Sequence, residues 1–179
     1  MATSPINLAD SPLLSPNSPL IQMWKLAAEI GEIIRQRTLT LSIAESLTGG
    51  WVSAAITGIP GSSDYFTNGI VAYSNQAKIS LLGVKAETLE SHGAVSPFCS
   101  REMARGIRRL AGTDLALATT GIAGPSGGSV FKPVGLVFMT AVDGDRFVTV
   151  ERRFSGDRLT ITISAALEAL SLLKTFLTT

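Results

Sequence analysis

Cysteine and histidine are nearly missing from this chain: Cys99 and His92 are the sole examples in 179 residues. A lone cysteine excludes an intrachain disulfide and makes a reducing cytoplasm the expected setting. With a lone histidine, a histidine-based metal site would need carboxylates, and no such cluster is visible; neither metal nor other cofactor is expected. Charge is sparse too. Charged residues make up 16% of the chain and the formal net charge is +1, which argues against a nucleic-acid binder with its basic face. The small cluster Arg105, Arg108 and Arg109 reads as a solvated helix face. No stretch reaches the ~18 uncharged apolar residues of a membrane span, so no membrane partner is expected. The first residues lack the basic-then-apolar pattern of a signal peptide. Neither G-x-G-x-x-G nor G-x-x-x-x-G-K-[ST] occurs, which counts against a dinucleotide or P-loop site.

What is present is a chain 45% hydrophobic, long enough for one domain with a sizeable core. Residues 1–19 are rich in Ser and Pro and read as a flexible extension, with the folded domain over 20–179. Apolar residues from Leu20 to Arg37 recur at helical spacing, Trp24 among them. A strand is expected at 39–43, a helix from Trp51 to about Ile56, and a strand from Phe66 to Tyr73. Three helices follow, over 75–82, 86–92 and 96–111. Asn75 and Ser96 are their candidate N-caps, Pro97 sits in a first turn, and Gly83 is a stop. Strands at 114–120, 134–142 and 146–154 come next, the last two joined as a hairpin at Asp143-Gly144-Asp145. Asp157 opens a final helix with Leu159, Ile163, Ala166, Leu167, Leu170, Leu173 and Phe176 on one side. Helices alternating with strands, one hairpin among them, predict a single-domain three-layer α/β/α sandwich around a mixed sheet.

Two glycine-rich segments each follow an apolar strand: Ala44-Glu45-Ser46-Leu47-Thr48-Gly49-Gly50 and residues 120–128. Ligands bind beyond the carboxyl ends of strands in such sheets, so both segments are expected to border one pocket. Unpaired N–H groups at a helix start attract anions or a developing oxyanion. A serine there is a nucleophile, a phosphate ligand or a helix cap. His92, at a helix-to-loop junction, is adequately explained as a C-terminal cap. Cys99 falls on an apolar helix face and reads as core. That leaves lysine as the base. Lys78 lies on the first turns of a short helix and competes with the reading of a surface lysine; it would need a pKa far below ~10.4 to take a serine proton.

These residues, followed by Gly61-Ser62-Ser63, Tyr73-Ser74-Asn75-Gln76-Ala77-Lys78, His92-Gly93-Ala94-Val95-Ser96, Gly121–Gly128, Lys132-Pro133-Val134-Gly135 and Phe154-Ser155-Gly156-Asp157-Arg158, resemble in order the CinA C-terminal-domain family, whose enzymes are nicotinamide mononucleotide deamidases. The match spans about 20–178. The resemblance implies a metal-independent Ser/Lys amidohydrolase that converts the carboxamide of nicotinamide mononucleotide to the acid and ammonia. Ser46 matches its nucleophile and Lys78 its base. Tyr73 would relay a proton or position the lysine, and Glu45 would orient Lys78 or a substrate hydroxyl. Thr48, Gly49 and Gly50 would supply backbone donors, while Thr120, Gly121 and Gly124 would face the nucleotide. Arg158 is the candidate phosphate contact. The resemblance also implies a homo-oligomer. Family members often carry Cys where this chain has Leu47, and a second arginine where it has Thr162. Some carry a large N-terminal domain, for which no room is expected here.

Overall fold

The computed structural model describes residue 15 and residues 17–179. Most of the extension expected over 1–19 lies outside the described residues. Its end does not: Ser18 caps helix α1, Pro19–Gln36, by accepting from Ile21 N–H. The remaining helices are α2 (Trp51–Thr57), α3 (Asn75–Leu82), α4 (Ala86–His92), α5 (Pro97–Ala111) and α6 (Arg158–Thr178). The strands are β1 (Leu41–Glu45), β2 (Phe66–Val71), β3 (Leu115–Gly121), β4 (Leu136–Asp143) and β5 (Arg146–Arg153). They form one sheet in the order β2-β1-β3-β4-β5. The β2-β1-β3 half is parallel and the β3-β4-β5 half antiparallel.

Side chains of a strand alternate between faces, and this alternation builds the three layers. Leu41 and Ile43 of β1, with Leu115 and Leu117 of β3, enter a core shared with α1, α2 and α6. Ala44, Ala116 and Ala118 point the other way, into a smaller core with α3 and α5. The α/β/α sandwich with a mixed sheet expected from the sequence is the observed architecture. The small residues on the second face let α5 lie close to the sheet. Gly106 of α5 extends this: a Cβ there would stand 1.9 Å from the Leu82 carbonyl oxygen of α3.

Several local expectations shift. The first strand runs over 41–45 rather than 39–43, so Glu45 belongs to it. The N-cap of α3 is Ser74, which accepts from Ala77 N–H, and not Asn75. Ser96, Pro97, Gly83 and Asp157 hold the capping or first-turn positions expected of them. Leu159, expected on the apolar side of α6, is 49% exposed and lines a surface cavity with Trp51 and Tyr73; Trp24 is 40% exposed. By length and composition α6 is apolar enough to cross a membrane, although Glu168 and Lys174 interrupt its uncharged run. Its apolarity is used inside the fold: Ile163, Ala166, Leu170, Leu173 and Phe176 are buried in the larger core.

Candidate active site

The carboxyl ends of β1, β2 and β3 lie side by side, and the site forms there. Ser46 is the first residue after β1. Continuing the strand's alternation, it points to the face that carries α3 and α5, as Ala44 does. On that face α3 begins one turn before Lys78, its first turn fixed by the Ser74 cap. The Lys78 ammonium nitrogen reaches back to Ser46 Oγ at 3.0 Å, to the Ala72 carbonyl at 2.8 Å and to the Tyr73 carbonyl at 3.2 Å. Lys78 is 1% exposed and Ser46 8%.

No carboxylate among the described residues is within ion-pair distance of Lys78. Burial therefore lowers the lysine pKa from its ordinary value. The adjacent Cys99 would oppose this only as a thiolate, and burial pushes its own pKa up to about 11, so it is neutral near pH 7. A neutral amine has two N–H donors and one lone pair. Nζ donates to the two carbonyls and to Ser46 Oγ; loss of one proton from Lys78 would leave two N–H groups for the carbonyls and a lone pair for the Ser46 proton.

Ser46 and Lys78 open onto a cavity of about 320 Å³ lined also by Leu47, Tyr73, Asn75, Val95 and the 120–127 loop, with Arg158 at its edge. Arg158 donates to the Gly124 carbonyl and to the Tyr73 hydroxyl, tying the β3 loop to the β2–α3 turn. Tyr73 thus meets Lys78 through its carbonyl, while its 60% exposed side chain serves Arg158. Thr120 faces this side and donates to the Ala94 carbonyl, fixing the 92–96 segment. A Cβ at Gly121 would stand 2.6 Å from Leu136 O, and one at Gly124, whose φ is +77°, 2.6 Å from Val134. Both glycines therefore permit the close path of the loop.

Of the three expected backbone donors, Gly49 and Gly50 are already engaged and Thr48 is free. Gly49 N–H is used by the Ser46 carbonyl and Gly50 N–H by the Glu45 carboxylate. Trp51 N–H goes to the Thr48 carbonyl. Among the described residues nothing accepts from the N–H groups of Leu47 and Thr48, the two residues after the serine. The Thr48 hydroxyl is engaged with that of Thr119. Glu45 is also corrected. It points to the opposite face of the sheet from Ser46 and accepts from the N–H groups of Gly50, Val52 and Ser53 and from the Ser53 hydroxyl. It is fully buried and does not line the cavity. It therefore orients neither Lys78 nor a substrate hydroxyl.

His92 stacks on Phe98, with ring centroids 4.0 Å apart, and lines a separate cavity. It takes no part in a triad with Ser46.

A model of the CinA C-terminal domain matches residues 23–177. The chain belongs to the CinA C-terminal domain family. A CinA-like protein of Syntrophomonas wolfei is 52% identical over 134 residues, 75% of this chain and 32% of that protein. One from Thermotoga neapolitana is 45% identical, covering 84% of this chain and 36% of the relative. The chain thus spans about a third of the length of these curated relatives. Among solved structures, the competence/damage inducible protein of Agrobacterium tumefaciens superposes with a TM-score of 0.85 at 38% identity, covering 88% of this chain and 96% of that one. The competence damage-inducible protein A of Klebsiella pneumoniae gives 0.85 at 37% identity, with 87% and 97% covered.

In this CinA domain, sequence reasoning overlooked three contributors. Asn75 read as a cap, yet it lines the cavity. Of the free N–H pair, Thr48 was among the expected donors and Leu47 was not, because a backbone N–H carries no side-chain signal. Gly124-Pro125-Ser126-Gly127-Gly128 has the G-x-S-x-G spacing of a hydrolase nucleophile elbow, but β4 rather than a helix follows it, so it is not the strand-to-helix turn that spacing serves. Its serine lines the same cavity from an exposed loop.

Proposed function

We propose that this CinA C-terminal domain is a Ser/Lys amidase that hydrolyses the carboxamide of nicotinamide mononucleotide to the carboxylate, releasing ammonia. The contact that carries the reading is the 3.0 Å approach of a buried, charge-unpaired Lys78 to Ser46 Oγ. Neutral Lys78 takes the hydroxyl proton as Oγ attacks the amide carbon. The oxyanion is held by the N–H groups of Leu47 and Thr48, in the manner of donors set immediately after a nucleophile. Protonated Lys78 then returns its proton to the departing nitrogen, giving ammonia and an acyl-Ser46. A water attacks the ester with Lys78 again as base, and Ser46 is regenerated. Arg158, with a planar fork of donors at the cavity edge, would exchange its present partners for the substrate phosphate.

A second reading, a nucleotide-binding domain without turnover, draws on Thr162. It is buried beside Arg158 in a neighbouring cavity, where the family often has another arginine. The two separate on product analysis. The amidase reading expects ammonia and nicotinic acid mononucleotide in equal amounts. Saturable binding of the unchanged nucleotide, with no acid formed, would replace it with the binding reading.

A further inference from the structure

The N–H groups from Gly49 to Ser53 are all engaged. Gly49 and Trp51 donate to carbonyls of the turn itself, and Gly50, Val52 and Ser53 donate to the Glu45 carboxylate. The Ser53 hydroxyl adds a fourth hydrogen bond at 2.6 Å. Room for that hydroxyl comes from Gly69 on β2, where a Cβ would stand 2.6 Å from it. Glu45 is fully buried and meets no cation among the described ion pairs. Its charge is therefore held by the start of α2 alone, where unpaired N–H groups favour an anion.

Two consequences follow from this placement. The carboxylate fills the start of α2, so that end of the helix is closed to an external anion. It also pins the turn at both ends, because Glu45 is the last residue of β1 and Ser53 lies in the first turn of α2. Between those anchors, nothing among the described residues accepts from the N–H groups of Ser46, Leu47 and Thr48, and the last two follow the nucleophile.

We propose that Glu45 is a positioning residue of the amidase: its carboxylate fixes the β1–α2 turn so that the N–H groups of Leu47 and Thr48 stand ready for the oxyanion of substrate attacked by Ser46. This rests on the Ser/Lys amidase reading. The site that Glu45 serves is the oxyanion position, not Lys78, because the two side chains lie on opposite faces of the sheet.

Glu45→Gln is the discriminating variant. The amide keeps one oxygen for Ser53 but turns an N–H₂ group towards the N–H groups of Gly50 and Val52. Three measurements on the full chain are compared with wild type. These are kcat and KM for ammonia release from nicotinamide mononucleotide, the pH dependence of kcat, and the rate at which phenylmethanesulfonyl fluoride modifies Ser46, followed by intact mass. The expected result is a loss of about 10–100-fold in kcat, somewhat less than deletion of an oxyanion donor. Sulfonylation should slow in parallel, with KM within about threefold and the pH limb of Lys78 unmoved. A retained kcat and labelling rate would overturn the proposal, as would a shifted pH limb, which would mean that Glu45 acts through Lys78. Ser53→Ala, which keeps the carboxylate and the three N–H bonds, is expected to retain kcat within about threefold; a loss equal to that of Glu45→Gln would also overturn it. If the wild type is sulfonylated at Ser46 but releases no ammonia, the substrate assignment fails, and the labelling ratio of Glu45→Gln still decides the role of Glu45. A wild type that does neither overturns both.

Discussion

In the proposed amidase, Lys78 joins catalysis to stability through one proton. Burial without a counter-charge lowers its pKa. Activity should therefore rise with pH through that lowered value, as the amine loses its proton. Stability should follow the same sign. Between the folded pKa and the unfolded value of ~10.4, the unfolded chain holds the proton and the folded one does not, so stability rises with pH across that window. Thermal denaturation of wild type and Lys78→Met over this range checks it: the wild-type slope should be absent in the variant. Tyr73 makes a separate prediction. Tyr73→Phe removes the hydroxyl that holds Arg158, and should raise KM severalfold with kcat nearly unchanged; a proton-relay role would lower kcat instead. At this scale the sequence revealed which residues meet, since Ser46, Lys78, Tyr73 and Arg158 converge. It concealed how they meet. Whether Glu45 faces Lys78 depends on where β1 ends, and a two-residue displacement of the strand removed the one cue to its direction.

Among the elements, α3 is the piece on which the dyad depends. Its start is set by Ser74 and its end by Gly83 in the left-handed conformation, with Gly106 of α5 letting the Leu82 carbonyl approach. Ser74→Ala should cost about 1 kcal/mol, the usual loss for a cap, and lower kcat because the first turn carries Lys78. Gly106→Ala places a methyl against backbone that has no rotamer to yield, so α3 must shift. The expected destabilisation is about 1–3 kcal/mol, with a fall in kcat at unchanged folded fraction, checked by denaturation and by assay under native conditions. The helices and strands themselves were legible from periodicity and from Ser, Gly and Pro at their ends. Gly106 was not, because a glycine inside a helical pattern does not name the neighbour it admits.

For the whole molecule, the mixed sheet sets the division of labour. Its parallel half ends at the turns that carry Ser46 and Lys78 and at the Gly121–Gly128 loop, while the antiparallel β4–β5 hairpin extends the sheet and its cores. The strands of both halves were readable as apolar runs, but the small residues that divide the two unequal cores were not singled out. The exposure of Leu159 was not readable, because a leucine bordering a cavity continues the same apolar period as one in the core. A ligand held by this edge couples to global unfolding. In Ser46→Ala, nicotinamide mononucleotide at about 100 times its Kd should add about 2.7 kcal/mol to unfolding, seen as a rise in Tm. Arg158→Ala in the same background should remove most of that rise.

Ammonia release from nicotinamide mononucleotide by wild type, Ser46→Ala and Lys78→Ala, each shown to be folded, bears most directly on the Ser/Lys dyad. Release by the wild type, with kcat at least ~10³-fold lower in both variants, is the predicted result. Comparable release by either variant, or none by the folded wild type, would contradict it.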